Sequence, residues 1–169
     1  MTQSESSRVQ LVVASYHHHN TKSVARAMAA VLNASIVAPD SADPDTLAAA
    51  DLIGFGSGIY HGKHHSSLLA LAARLPESQG QRAFLFSTSG VYSEKKLVKD
   101  HRALRDLLTG KGYAIVDEFG CTGHDSYAFL KLIGGLNKER PDEEDLERAR
   151  AFARNLVGKA SGDKPAQHE

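Results

Sequence analysis

Short β-branched apolar runs alternate along this chain with segments whose apolar residues recur at helical spacing, and that alternation restricts the fold more than any other feature. Val9 to Ala14 (VQLVVA) reads as a buried strand. From Thr21 to Leu32 the period changes, with Val24, Ala25, Met28, Ala29 and Leu32 on one helical stripe. Ser35 to Val37 predicts a short second strand, Thr46 to Ala50 a helical turn, and Leu52 to Ser57 (LIGFGS) a third strand. The glycines of that third strand suggest close approach of another backbone or a ligand. Leu68, Leu69, Ala72 and Leu75 mark a helix stopped by Pro76. Ala83 to Ser87 is a fourth strand, and Leu97, His101, Leu104 and Leu108 mark one further helix. Tyr113 to Phe119 is a fifth strand, and the last helix opens after Pro141 with acidic residues in its first turn. Parallel neighbours need a crossover, so the pattern predicts an α/β protein: a three-layer, doubly wound, five-stranded parallel sheet of order 2-1-3-4-5.

The 169 residues suit one domain over 9–157, with a polar lead-in at 1–8 and a tail at 158–169. Twenty basic side chains balance twenty acidic ones. That argues against functions built on a strong overall field, so neither nucleic acid nor an anionic membrane is expected as partner. No apolar run approaches the roughly 18 residues that span a bilayer. Met1 to Arg8 is polar, and Cys121 is the one cysteine, which excludes an intrachain disulfide. The expected compartment is the cytoplasm.

In doubly wound sheets, ligands sit beyond the C-terminal strand ends, which directs attention to three loops. After strand one, Ser15, Tyr16, His17, His18, His19, Asn20 and Thr21 lead directly into a helix. Unpaired N–H groups there suit an anion, and Asn20 or Thr21 also reads simply as a helix cap beside solvated histidines. After strand three come Ser57, Gly58, Ile59, Tyr60, His61 and Gly62, which combine permissive glycines with a flat ring. After strand four, Ser87, Thr88, Ser89, Gly90, Val91 and Tyr92 offer hydroxyls and backbone donors.

The run Ser15 to Thr21, with Asn20-Thr21 entering a helix, resembles the phosphate loop of the flavodoxins, whose usual ending is Gly-Asn-Thr. The stretches GSGIYHGKHHSSLLALAARLP (56–76), FSTSG (86–90) and GCTGHDSYAFLKLIGGLNKERPDEEDLERARAFA (120–153) are also similar to short-chain bacterial and archaeal members of that family. The resemblance spans 9–157 and implies non-covalent FMN. Carried over by position, Tyr16, His17, His18, His19, Asn20 and Thr21 would hold the phosphate. Ser57, Gly58, Ile59, Tyr60 and Gly62 would line one side of the flavin ring, and Thr88, Ser89, Gly90 and Tyr92 the other edge. The implied function is electron transfer between partner proteins, a flavoprotein reductase or an electron acceptor, with no catalytic side chain. Alternatives are an FMN-dependent NAD(P)H or quinone reductase and a binding module that has lost FMN.

Two departures from the family pattern bear on this. His19 stands where the family has Gly, which lets the backbone approach the phosphate or take φ > 0, and a His does so only with strain. The chain is also neutral where electron-carrying flavodoxins are acidic. With no Trp, Tyr60 or Tyr92 is left to stack on the ring. Other chemistries are weaker. The loop histidines lack interleaved carboxylates for a metal, Cys121 is a lone thiol, and His124-Asp125 has no visible nucleophile. Lys95, Lys96 and Lys99 read as a solvated face, or as a surface for an acidic redox partner.

Overall fold

The computed structural model describes residues 8–16, 19–123 and 140–162. Five parallel strands form the sheet: β1 (Val9–Ala14), β2 (Ser35–Val37), β3 (Leu52–Tyr60), β5 (Arg82–Ser89) and β6 (Ala114–Thr122). Their order is β2-β1-β3-β5-β6, which is the 2-1-3-4-5 order expected from the sequence. One strand was not expected. β4 (Lys63–His64) turns back antiparallel onto the end of β3, pairing Ile59 with His64 and Tyr60 with Lys63. The two residues between them, His61 (φ 51°) and Gly62 (φ 76°), both adopt positive φ, as a tight hairpin turn requires.

Successive strand residues face opposite sides, and helices cover both. Leu11, Val13, Phe84, Phe86 and Phe119 pack with α1 (Asn20–Leu32) and α6 (Glu143–Gly162). Val12, Ile53, Phe55 and Leu85 pack with α2 (Pro44–Ala48), α3 (Ser66–Arg74) and α5 (Arg102–Gly110). The glycines of β3 have an internal cause. A Cβ at Gly54 would lie 2.4 Å from the Phe84 ring, and one at Gly56 would lie 2.1 Å from the Phe86 ring. Neighbouring-strand phenylalanines, rather than a ligand, fill that space.

The single helix read across Leu97 to Leu108 is two, α4 (Glu94–Asp100) and α5, with His101 between them. Ser93 caps α4, its hydroxyl accepting from the Lys96 N–H at 3.2 Å. α6 continues past Gly158 to Gly162, into the segment read as a tail.

Candidate functional site

β1 ends at Ala14, and α1 begins at Asn20 with His19 as its N-cap residue at φ 53°, ψ 23°. This is the left-handed conformation anticipated for the family's Gly position. Neither reading of Asn20 or Thr21 as cap survives, because both lie inside the helix, and the N-cap residue His19 makes no capping bond with its side chain. The first turn carries no acidic residue. The N-terminal donors of α1 therefore face the sheet's C-terminal edge with the helix dipole uncancelled by a carboxylate. Ser15 Oγ accepts from Lys22 N–H at 3.3 Å, drawing the loop over the helix start. His17 and His18 lie outside the described residues, as does His124-Asp125.

Thr21 is buried, and its hydroxyl pairs with that of Thr88 on β5 at 2.8 Å. The loops after strands one and four are thus joined at their floor. Gly123 closes that floor: a Cβ there would lie 2.8 Å from Asn20 Nδ2 and 3.1 Å from Thr88 Cβ. Its N–H donates to Ser89 O at 2.9 Å, and Ser89 Oγ donates to Val91 O at 2.7 Å.

The stretch from Ser57 to Tyr60, expected as a loop after strand three, is instead the end of β3, extended by its pairing with β4, and it is held from within. Ser57 Oγ donates to Gly58 O at 2.6 Å and accepts from His65 N–H at 2.9 Å. Tyr60 folds back over Gly58, whose missing Cβ would lie 3.2 Å from the Tyr60 ring. His65 caps α3, Nδ1 accepting from Ser67 N–H at 3.1 Å. The His65 ring sits 4.5 Å from that of Tyr16 and 5.1 Å from that of Tyr60. An aromatic cluster therefore ties the first loop to the third. Gly62 serves the hairpin turn. Tyr92 lies elsewhere: its ring covers Gly120 on β6, under the Arg148 guanidinium at 5.9 Å. Arg148 also donates to Gly120 O at 3.2 Å.

Chain comparison agrees with this geometry. Residues 11–122 match the flavodoxin domain model. The chain belongs to the flavodoxin family. It is 43% identical over 143 residues to an uncharacterized protein of Methanocaldococcus jannaschii, a match covering 85% of this chain and 93% of that one. Solved flavodoxins share the fold at low identity. Oxidised flavodoxin 2 from Bacillus cereus superposes with a TM-score of 0.69 at 18% identity, over 90% of this chain and 99% of that one. A flavodoxin from the domain Archaea gives 0.61 at 15%, over 91% and 99%. A WrbA-like flavodoxin from Agrobacterium tumefaciens gives 0.63 at 20%, over 94% and 100%.

Within this flavodoxin fold, sequence reading missed a polar network behind the third and fourth loops. His101 is fully buried. Its Nδ1 lies 3.1 Å from Glu118 Oε1, and its Nε2 lies 2.8 Å from Ser87 Oγ. Glu118 and Ser87 thus hold the two ring nitrogens from opposite sides. Arg105 Nη2 donates to both Glu118 oxygens at 2.8 Å. Burial pushes the Glu118 carboxyl up, but the His101 and Arg105 hydrogen bonds outweigh it and hold it below its ordinary value. The order Ser–His–Glu is that of a nucleophile and its base, yet Ser87 is only 3% exposed. The arrangement is structural. His64 packs on it, rings 4.5 Å apart, with Nε2–H donating to Phe86 O at 3.2 Å and Nδ1 buried without a partner. Burial holds the His64 pKa down at about 3. The sequence signal was a histidine inside the apolar stripe Leu97, His101, Leu104, Leu108.

Cys121 is also buried, and burial, reinforced by Asp145, pushes its thiol up to about 12. A protonated, enclosed thiol does not support the redox-cysteine reading. Among the described residues no cluster of three His, Cys, Asp or Glu suits a metal, and no helix is long and apolar enough to cross a membrane.

Proposed function

We propose that this protein binds FMN non-covalently at the C-terminal edge of β1, β3 and β5 and passes electrons between partner proteins. The observation that carries the reading is the start of α1: a left-handed His19 whose side chain makes no capping bond, and no acid in the first turn, at the end of the first parallel strand. These features fit a phosphate dianion, which meets fixed N–H donors and the positive end of the helix dipole. Family membership and the flavodoxin fold support the same cofactor.

When bound, the flavin supplies the redox chemistry. The chain's own residues would bind and orient it. Tyr16, His19 and Asn20 would border the phosphate position. Thr21 acts from beneath through Thr88. Gly58, Ile59 and Tyr60 would border the ring on the β3 side, and Ser89 and Gly90 would offer backbone groups on the β5 side. Tyr60, packed on Gly58 and beside His65, is better placed to cover a ring than Tyr92, which is held over β6 by Arg148.

The test is FMN uptake. Purified protein incubated with FMN and desalted should retain the flavin band at about 450 nm. NAD(P)H alone should leave that band unbleached for minutes, while an added flavoprotein reductase should bleach it. Rapid bleaching by NAD(P)H alone would make the protein a reductase. Loss of all flavin on desalting would contradict the cofactor assignment.

A further inference from the structure

The neutral total charge conceals a separation of signs. Asp43, Asp45 and Asp51 are exposed around α2 and just before β3, near Arg8 at the end of the sheet opposite the candidate site. At the site end, Lys95, Lys99 and Arg102 are exposed along α4 and the start of α5. Lys96 is neutralised by Asp100, and Arg105 by Glu118. Lys95, Lys99 and Arg102 have no such carboxylate among the described residues.

Their spacing makes them one strip. Positions 95, 98 and 99 fall on one face of α4, and Arg102 opens α5 directly after the break at His101. The inward positions Asp100, His101 and Leu104 are buried, which sets the strip outward. Val98, at its centre, is 55% exposed, and Val91, in the loop that leads from β5 into α4, is 61% exposed. A β-branched residue gains nothing by standing in water on a helix. An apolar centre rimmed by cations is the anatomy of a protein interface rather than of a polyanion groove. Glu94 on α4 and Asp106 on α5 are the exposed acidic side chains of these two helices.

We infer that the strip Lys95, Val98, Lys99 and Arg102, with Val91, is the docking surface for an acidic redox partner protein. The inference rests on the electron-transfer reading for the kind of partner. α4 leaves the loop that would border the flavin and packs against the β3–β4 hairpin, so a partner seated here stands beside the cofactor edge. Basic docking reverses the acidic surface of electron-carrying flavodoxins. It also predicts that association is salt-sensitive although the net charge is zero.

The test measures calorimetric binding of the full chain, with and without FMN, to an acidic iron–sulfur ferredoxin as probe. Affinity should fall roughly tenfold between about 0.05 M and about 0.3 M salt. The triple variant Lys95→Glu, Lys99→Glu, Arg102→Glu should bind at least about tenfold more weakly at low salt while keeping its Tm. Val98→Ala should weaken binding a few-fold. Equal binding by wild type and triple variant would overturn the proposal, as would saturable binding to duplex DNA or phosphatidylserine vesicles in place of ferredoxin. Binding without FMN that the triple variant loses would uphold the surface even if FMN uptake failed. Failure of the two readings is thereby distinguished.

Discussion

The start of α1 and the network behind β5 lie at the same edge of one sheet and treat their polar groups in opposite ways. At α1 the N-cap residue His19 is left-handed and exposed, and its side chain makes no capping bond. Around His101, the polar side chains bond one another, from Ser87 through Glu118 to Arg105, and His64 Nδ1 alone is left unpaired beside them among the described residues. Donors left open at a helix end are available to a ligand, whereas groups that satisfy one another in the interior make the wall the ligand rests against. The first region is where binding should be read, and the second is where stability should be read.

The comparison breaks most visibly at His101. His101→Ala leaves the buried Ser87 hydroxyl without its partner, takes one hydrogen bond from Glu118 and opens a cavity beside His64. The expected cost is about 3 kcal/mol, read as a lowered urea midpoint. An unchanged midpoint would mean that the network carries no stability.

Acid probes the same wall through His64. Its pKa is 6.5 when unfolded and about 3 in the fold, because burial excludes the charged form. Between those values the unfolded chain holds a proton that the fold refuses. This contribution to stability is complete above about pH 6.5 and falls by about 1.4 kcal/mol per pH unit below it. His64→Leu should flatten that slope, as measured by urea unfolding at pH 7 and pH 5.

Thr21 sharpens the contrast, because it belongs to the binding loop by sequence and to the interior by structure. Thr21→Ala removes the bond to Thr88 and should cost about 1 kcal/mol of stability. It should change FMN affinity less than a direct phosphate contact would. A large affinity loss with unchanged stability would place the hydroxyl on the ligand instead. The smallest effect is expected at the exposed cap. His19→Gly relieves a left-handed residue and should stabilise the fold by no more than about 1 kcal/mol, read as a small rise in Tm.

Most of the fold was legible because the apolar periods of strands and helices are local. β1, β3 and β5 lie within a few residues of their sequence readings, and so does the strand order they imply. What escaped reading depends on partners distant in the chain. The glycines at 54 and 56 answer to Phe84 and Phe86, and the break at His101 to Ser87 and Glu118. The β3–β4 hairpin escaped because its turn residues, His61 and Gly62, look equally like a ligand loop. At the site, the strained cap at His19 was legible from its position before Asn20-Thr21. The inward turn of Thr21 was not, since only tertiary packing brings Thr88 to it.

The central claim is that the open end of α1 takes the phosphate of a flavin. Fluorescence titration with FMN and with riboflavin, which lacks the phosphate, tests it most directly. The account predicts saturable quenching by one FMN per chain, with riboflavin binding at least about a hundredfold more weakly. Equal affinities for the two flavins, or no binding of FMN, would contradict it.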